Sequence, residues 1–492
     1  MEHPELLLGP NPLFDALCPF IEYSKLPDAL LHQPLQTIDW RALPPAQREV
    51  LLVSLEQHFF PTRVAIDVAA SIQLALRASV AARNPLSQRE QVRINRLAIA
   101  RDAPEVSLQA LHIAAGGGAF AAITGMGKSA VIVRTLHVVT RTQVVTHDRS
   151  EACGWSKCVQ IVYLYIDAPS NGSRGGLLVR ILEAVDALIG TDYCGDARRM
   201  RNLEGVILLL VRVLSVHRVG ILVIDEQQQD NFDKSEWQRE FVLLFFALMN
   251  LGIAVFLCGN PLAFAKFKTS SQVVRRFSHI GFHSLVPATS DDEEWWKEEF
   301  VPGVMLFSPC EKISGAEEIR ASSRSASGGI PGLFSRIWHE TLLIALRRGG
   351  DQAVVTAADF KQAQSTARTN ELANIARYVT TLSVPDSTYS DLPRDLELKD
   401  GNGDVAAPTP ALPNGAAGAG AGDAKILSAI RAAEKREKSE EKKRAAKKDQ
   451  LDRTLSDDDL RKASRSLQIL AGLREEQQEQ LALQENRDPA SA

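Results

Sequence analysis

The chain has 492 residues, too many for one core, so two to four domains are expected. Its 45% hydrophobic and 24% charged content is ordinary for a soluble globular protein, and a net charge of −4 excludes a uniformly basic protein that coats DNA. The six cysteines are scattered, and Cys153 and Cys158 have no second close pair, which argues against both a disulfide framework and a zinc site.

Residues 1–105 read as a helical interaction region. Proline-bounded apolar segments recur at Asn11-Pro12-Leu13-Phe14, at Leu43-Pro44-Pro45-Ala46 and at Phe59-Phe60-Pro61. Pro45 suits the first position of a helix, where its missing N–H costs nothing. A helix of small residues is expected over 64–82. The start, Met-Glu-His-Pro, lacks the basic region of a secretory signal. The apolar run 241–258 has the length of a membrane span, but Asn250 and Gly252 divide it into a helix and a strand. The expectation is a cytoplasmic protein with no membrane segment.

Residues 106–287 alternate strands (119–123, 160–166, 221–225, 254–258) with helices (128–139, 175–188, 197–215, 236–248). That pattern is an α/β fold, a parallel sheet with flanking helices, laid out as a P-loop ATPase core. Its centre is the stretch GGGAFAAITGMGKS ending at Ser129. The loop Thr124, Gly125, Met126, Gly127, Lys128, Ser129 and Ala130 would cradle phosphate oxygens on inward-turned N–H groups at a helix N-terminus. Lys128 would reach the β- and γ-phosphates of ATP, and the Ser129 hydroxyl would hold Mg²⁺. Ala122 occupies the first glycine position of this pattern. The run Val219 to Gln227 ends in two carboxylates at the carboxyl end of a buried strand. Asp225 would hold Mg²⁺ beside Ser129, and Glu226 would polarise the attacking water. Asn260, after the next strand, would orient that water, or simply form an Asn-Pro turn. Arg275 and Arg276 stand where an oligomeric ATPase places a finger into its neighbour's site.

Residues 288–385 open with Asp291-Asp292-Glu293-Glu294-Trp295-Trp296 and continue with helical periodicity, as a helical lid whose Arg336 could reach the γ-phosphate. Residues 386–423 read as a flexible linker and 424–492 as a charged helical tail, with a partner-binding or solubilising role.

Further motifs carry a resemblance. Asn11-Pro12-Leu13-Phe14-Asp15-Ala16-Leu17, Arg83-Asn84-Pro85, Gln143-Val144-Val145-Thr146-His147, Asn171-Gly172-Ser173, the segment from Asp186 to Tyr193, and Val223-Ile224-Asp225-Glu226-Gln227-Gln228 together resemble the TnsC/TniB-type AAA+ regulators of DNA transposition in bacterial mobile elements. The likeness spans roughly residues 10–345 and fades in the linker and tail. The chain departs from the pattern at Ala122, at Gln227, at Asn260 where a threonine is usual, and at Arg174-Gly175-Gly176.

The resemblance implies an ATPase that uses ATP and Mg²⁺ and oligomerises with itself, as a ring or filament, on double-stranded DNA. It also implies that the protein recruits transposase subunits, answers a TniQ/TnsD-like target-selection protein, and comes apart on hydrolysis. Arg141, Lys157 and Arg174 are then phosphate contacts. Two other readings share the core motifs: an ATP-binding scaffold that no longer hydrolyses, motivated by Ala122, and a replication-initiator or helicase-loader-like AAA+ protein.

Overall fold

The structure is a computed structural model, and it describes residues 9–99, 115–169, 174–200, 202–227, 235–265 and 271–380. By contact density the chain divides into units 1–401 and 402–492, and every described residue lies in the first. The linker and tail readings for 386–492, and the turn Asn171-Gly172-Ser173, lie outside the described residues.

Five strands form a parallel sheet: β1 (Gly117–Ala122), β4 (Tyr163–Asp167), β5 (Ile221–Gln227), β6 (Ala254–Gly259) and β7 (Gly281–Leu285), in the order β4-β5-β6-β1-β7. β6 therefore stands between the strand that leads into the glycine loop and the strand that ends in Asp225. β2 (Val144–His147) and β3 (Cys158–Ile161) form a separate antiparallel pair. A two-residue parallel pair, β8 (Lys312–Ile313) and β9 (Val354–Val355), lies further along the chain.

Strand alternation decides which side chains meet. Leu222 and Ile224 of β5, with Val255 and Leu257 of β6, face one apolar cluster that includes Leu178, Leu182, Leu210 and Leu214. Ile221 and Val223, with Phe256, Cys258, Phe120 and Ala122, face the opposite cluster, shared with the helices Arg63–Ala82 and Lys128–Val139. Odd positions on β5 and even positions on β6 thus point to the glycine-loop side. By that parity Asp225 and Asn260 belong on the side of the Lys128 helix.

Several details differ from the sequence reading. The expected strand over 160–166 is broken: Ile161 ends the hairpin, Val162 donates its N–H to the Gln143 carbonyl at 2.8 Å, and β4 starts afresh in the parallel sheet. The expected helix over 197–215 is two helices, Tyr193–Arg199 and Leu203–Val216, the second capped by Asn202 accepting from the Gly205 N–H at 3.0 Å. β7 has no counterpart in the sequence reading.

The run 241–258 is divided. The helix Ser235–Asn250 stops, Gly252 takes φ 81, and β6 begins at Ala254. Among the described residues, the one helix long and apolar enough to cross a membrane is Arg63–Ala82, and half of it is buried.

The N-terminal segment packs on this core. Asn11 caps the short 3-10 turn Pro12–Ala16, accepting from the Leu13 N–H, and its amide donates to the Val80 carbonyl at 3.1 Å. The Asn84 amide donates to the Pro10 carbonyl at 2.9 Å, so the opening motif and Arg83-Asn84-Pro85 meet. Pro45 does open a helix, Pro45–Leu51. Leu35, Trp40, Leu52 and Leu55 share a third cluster with Trp296, Phe300, Phe334 and Trp338 of the C-terminal helices. The last residue of the Asp-Glu-Trp-Trp stretch anchors it in this cluster: Trp296 is fully buried, stacks on Phe300 at 5.2 Å and donates to Ser323 Oγ at 2.9 Å, while Asp291, Asp292 and Glu294 are exposed.

Candidate nucleotide site

Gly125 and Gly127 have φ of 86° and 82°, the left-handed region that favours glycine. They bend the chain from β1 into the helix Lys128–Val139. Ala122 needs no such freedom. It is the last residue of β1, paired with Leu285, and among the described residues only Arg218 and Glu226 are non-glycine residues with positive φ. Its methyl group is buried in the apolar cluster beneath the loop.

Lys128 folds back over the loop. Its Nζ donates to the Ala122 carbonyl at 2.7 Å and the Ile123 carbonyl at 3.1 Å. Burial pushes its pKa down from the ordinary 10.5, and the nearby Asp225 carboxylate partly offsets that. A lysine so placed is a desolvated cation short of an anion.

Asp225 lies on the glycine-loop side of β5 and is almost fully buried. Ser129 Oγ donates to its Oδ2 at 2.6 Å, and the Tyr165 hydroxyl donates to the same oxygen at 2.5 Å. Burial, together with that bond to a carboxylate, pushes the Tyr165 pKa far up, so the phenol keeps its proton. The Glu226 N–H donates to Asp225 Oδ1 at 2.7 Å. Ser129 and Asp225 offer two hard oxygens at one point, which suits Mg²⁺, an ion bound by few protein ligands with phosphate and water completing the shell. When bound, the ion would neutralise phosphate charge. Among the described residues no cluster of three or more His, Cys, Asp or Glu forms a metal cage.

Glu226 sits in the register shift between β5 and β6, with φ 55, and its side chain is exposed. The bulge turns the residue after Asp225 out of the alternation, so both carboxylates of the pair can serve one site. Asn260 caps the five-residue helix Pro261–Ala265, its Oδ1 accepting from the Leu262 N–H at 3.0 Å. Arg275 and Arg276 lie in the helix Ser271–Phe277 and part company there. Arg276 is half-buried, donates to Asn250 Oδ1 at 2.5 Å and lies 4.8 Å from the centre of the Phe246 ring. Arg275 is exposed.

A cavity of about 610 Å³ adjoins the loop at Gly125, Met126, Gly127 and Ala130. Its other walls are His58, Phe59 and Phe60 from the N-terminal segment and Ser335, Arg336 and His339 from the lid helix Pro331–Gly349. Arg336 faces Glu56 at 3.6 Å across it. The lid touches the loop directly: the Gly332 N–H donates to the Gly125 carbonyl at 2.8 Å, and a Cβ on Gly332 would stand 2.9 Å from that oxygen. Size, partly apolar walls and phosphate loop together suit a nucleotide. The sequence reading named Arg336 at this site but not His58, Ser335 or His339, and gave Tyr165 no role at the Asp225 carboxylate. Tyr165 carries a signal in hindsight, standing opposite Val223 on the neighbouring strand and on the same face as Asp225.

Of the basic residues expected to touch DNA, Arg141 and Lys157 are both exposed. They lie beyond opposite ends of the β2–β3 ladder, Arg141 past the Val144↔Ile161 pair and Lys157 past His147↔Cys158. Arg174 begins the helix Arg174–Ile189, and its side chain is outside the described residues.

A glycine loop after the first strand, an acidic strand end two strands away with one strand between them, and a helical lid define an AAA+ P-loop ATPase core. A family model described as "Bacterial TniB protein" matches residues 123–285, from the end of β1 to the end of β7. Over those residues the chain is similar to the TnsC/TniB-type AAA+ ATPases, a family involved in transposition. No curated protein matches the chain.

Solved structures similar to it include that titled "Structural Basis for Katanin Self-Assembly" (13% identity, 53% of this chain and 78% of that one, TM-score 0.29). Others are Cdc6p from Pyrobaculum aerophilum (14%, 63% and 71%, TM-score 0.33) and the Aeropyrum pernix Orc1 protein in complex with DNA (18%, 56% and 64%, TM-score 0.34).

Proposed function

We propose that the protein is an ATP-switched regulator of DNA transposition that assembles on target DNA, links a target-selection protein to the transposase, and disassembles on hydrolysis. The observation that carries this reading is the Ser129–Asp225 hydrogen bond across 96 positions of sequence, which joins the glycine loop to the acidic strand end inside a TniB-type core. Lys128 and the loop N–H groups bind the phosphates, Ser129 and Asp225 hold Mg²⁺, and Glu226 orients and polarises the water. Asn260 stands at the strand end beside them. Arg275, exposed on its short helix, enters the neighbouring subunit's site, while Arg276 holds the helix in place. ATP then stabilises the oligomer by mass action.

DNA is held through its phosphates, with Arg141 and Arg174 as contacts, so binding is salt-sensitive and indifferent to sequence. Lys157 lies beyond the opposite end of the ladder from Arg141. The non-hydrolysing alternative rests on Ala122, and the extended conformation of that residue at the end of β1 supports the hydrolysing reading over it.

Lys128→Ala is the direct test. ATP affinity falls by about a hundredfold or more, in line with two lost charge-assisted contacts, and ATP-dependent DNA retention in a gel-shift assay disappears while the far-UV circular dichroism stays that of the native fold. Unaltered ATP binding by this variant would sink the reading.

A further inference from the structure

Arg218 stands where glycine is cheapest. The helix Leu203–Val216 ends in a reciprocal pair of bonds, Val219 N–H to the Leu214 carbonyl at 3.0 Å and Arg218 N–H to the Ser215 carbonyl at 3.2 Å. The residue after the cap must then be left-handed, and Arg218 has φ 53. An L-residue there costs about 1–2 kcal/mol. The arginine side chain is nonetheless almost wholly buried.

It is buried among like charges. Glu90 receives both Arg93, in a two-pronged contact at 2.6 and 2.7 Å, and Arg218 Nη1. Arg83 lies beside them, donating to Ser79 and to the Val219 carbonyl, with its pKa pushed down by burial to about 9. All four side chains are at least nine-tenths buried. Three guanidinium groups thus share one carboxylate. Arg83 Nη1, Arg93 Nη1 and Arg218 Nε have no hydrogen-bond partner. An uncompensated buried charge is costly, and a buried donor without a partner adds to the cost.

Arg218 also lines a cavity of about 340 Å³. Lys157 is at this cavity too, Ile94, Trp155 and Val216 give it apolar walls, and among the described residues no acidic one lines it. The Arg83 and Arg93 charges behind Arg218 raise the positive potential in a low-dielectric recess.

We propose that this cavity receives the carboxylate of a glutamate or aspartate side chain presented by a partner protein, held by Arg218 and Lys157. A duplex phosphate is flanked by sugars and neighbouring phosphates and cannot enter a recess of this size. A small free anion would leave the apolar walls unused, whereas the methylene stem of an acidic side chain covers them. The site is separate from the glycine loop, and the proposal does not rest on the nucleotide reading.

The test uses the full chain at constant ionic strength, with the peptides acetyl-Leu-Glu-Leu-amide and acetyl-Leu-Gln-Leu-amide followed by calorimetry. The glutamate peptide is expected to bind about tenfold more tightly, the worth of a hydrogen bond to a charged group. Lys157→Glu, a surface change that leaves the fold intact, should abolish or reverse that preference. Arg218→Gln should erase it, and Lys128→Ala should leave it untouched. Equal affinity for the two peptides, or no binding of either, overturns the proposal. So does sulfate that competes as effectively as the glutamate peptide, which would mean a small-anion site, or a DNA duplex that displaces the peptide through Lys157.

Discussion

Glu226 occupies a backbone conformation that an L-residue adopts rarely, and it does so at the end of a strand where alternation would otherwise turn it away from Asp225. Glu226→Gly should relieve that strain and stabilise the protein by about 1 kcal/mol in chemical denaturation, while removing turnover. A loss of stability would mean that the carboxylate makes contacts worth more than the strain. Histidines give a second prediction at this scale. Burial lowers the pKa of His58, His217, His283 and His339 below the ordinary 6.5. The folded state therefore binds fewer protons than the unfolded one, so their contribution is complete above pH 6.5 and is lost as pH falls below that through the lowered folded-state values. Tm should drop between pH 7.5 and 5.5, and the drop should shrink in His58→Phe; a Tm flat across that window contradicts the assignment. Lys128, Ser129 and Asp225 were legible as residues because their chemistry is written in short local spacings. The Tyr165 bond to Asp225 was not, since it depends on which strand lies next to which.

The helix Ser271–Phe277 separates two arginines that look equivalent in sequence. Arg276→Ala forfeits a bond to Asn250 and the Phe246 face, a loss of about 1 kcal/mol. Arg275→Ala should leave monomer stability alone and abolish ATP-dependent assembly, read by light scattering. If Arg276→Ala alone abolished assembly, the roles would be reversed. The helices Lys128–Val139 and Arg63–Ala82 were visible in advance because each carries a long apolar periodicity. β7 was not, because Gly281-Phe282-His283-Ser284-Leu285 has no continuous apolar run and owes its strand form to pairing with β1. The break at Val162 was hidden for a related reason: the residues on both sides are equally apolar, and only the change from an antiparallel to a parallel partner separates them. The segment from Asp186 to Tyr193 was legible as a resemblance alone. Its physical basis is one carboxylate, Asp186, accepting from Thr191 and from the N–H groups of Tyr193 and Cys194.

In the molecule as a whole, glycine loop, lid and N-terminal segment meet at one place. The lid helix bonds the glycine loop through Gly332 and Gly125, and Phe59 and Phe60 close the cavity from the other side. Bound ATP would thus fix three parts of the chain at once, giving assembly a route to sense the nucleotide. The most direct measurement is ATP turnover with and without duplex DNA, for the native protein and Glu226→Gln, with oligomer size followed in the same samples. The expected result is DNA-stimulated turnover in the native protein, its loss in Glu226→Gln, and assemblies on DNA that persist in that variant. ATP-dependent assembly without turnover in the native protein would contradict the hydrolytic role of Glu226, and absence of both nucleotide binding and assembly would contradict the site itself.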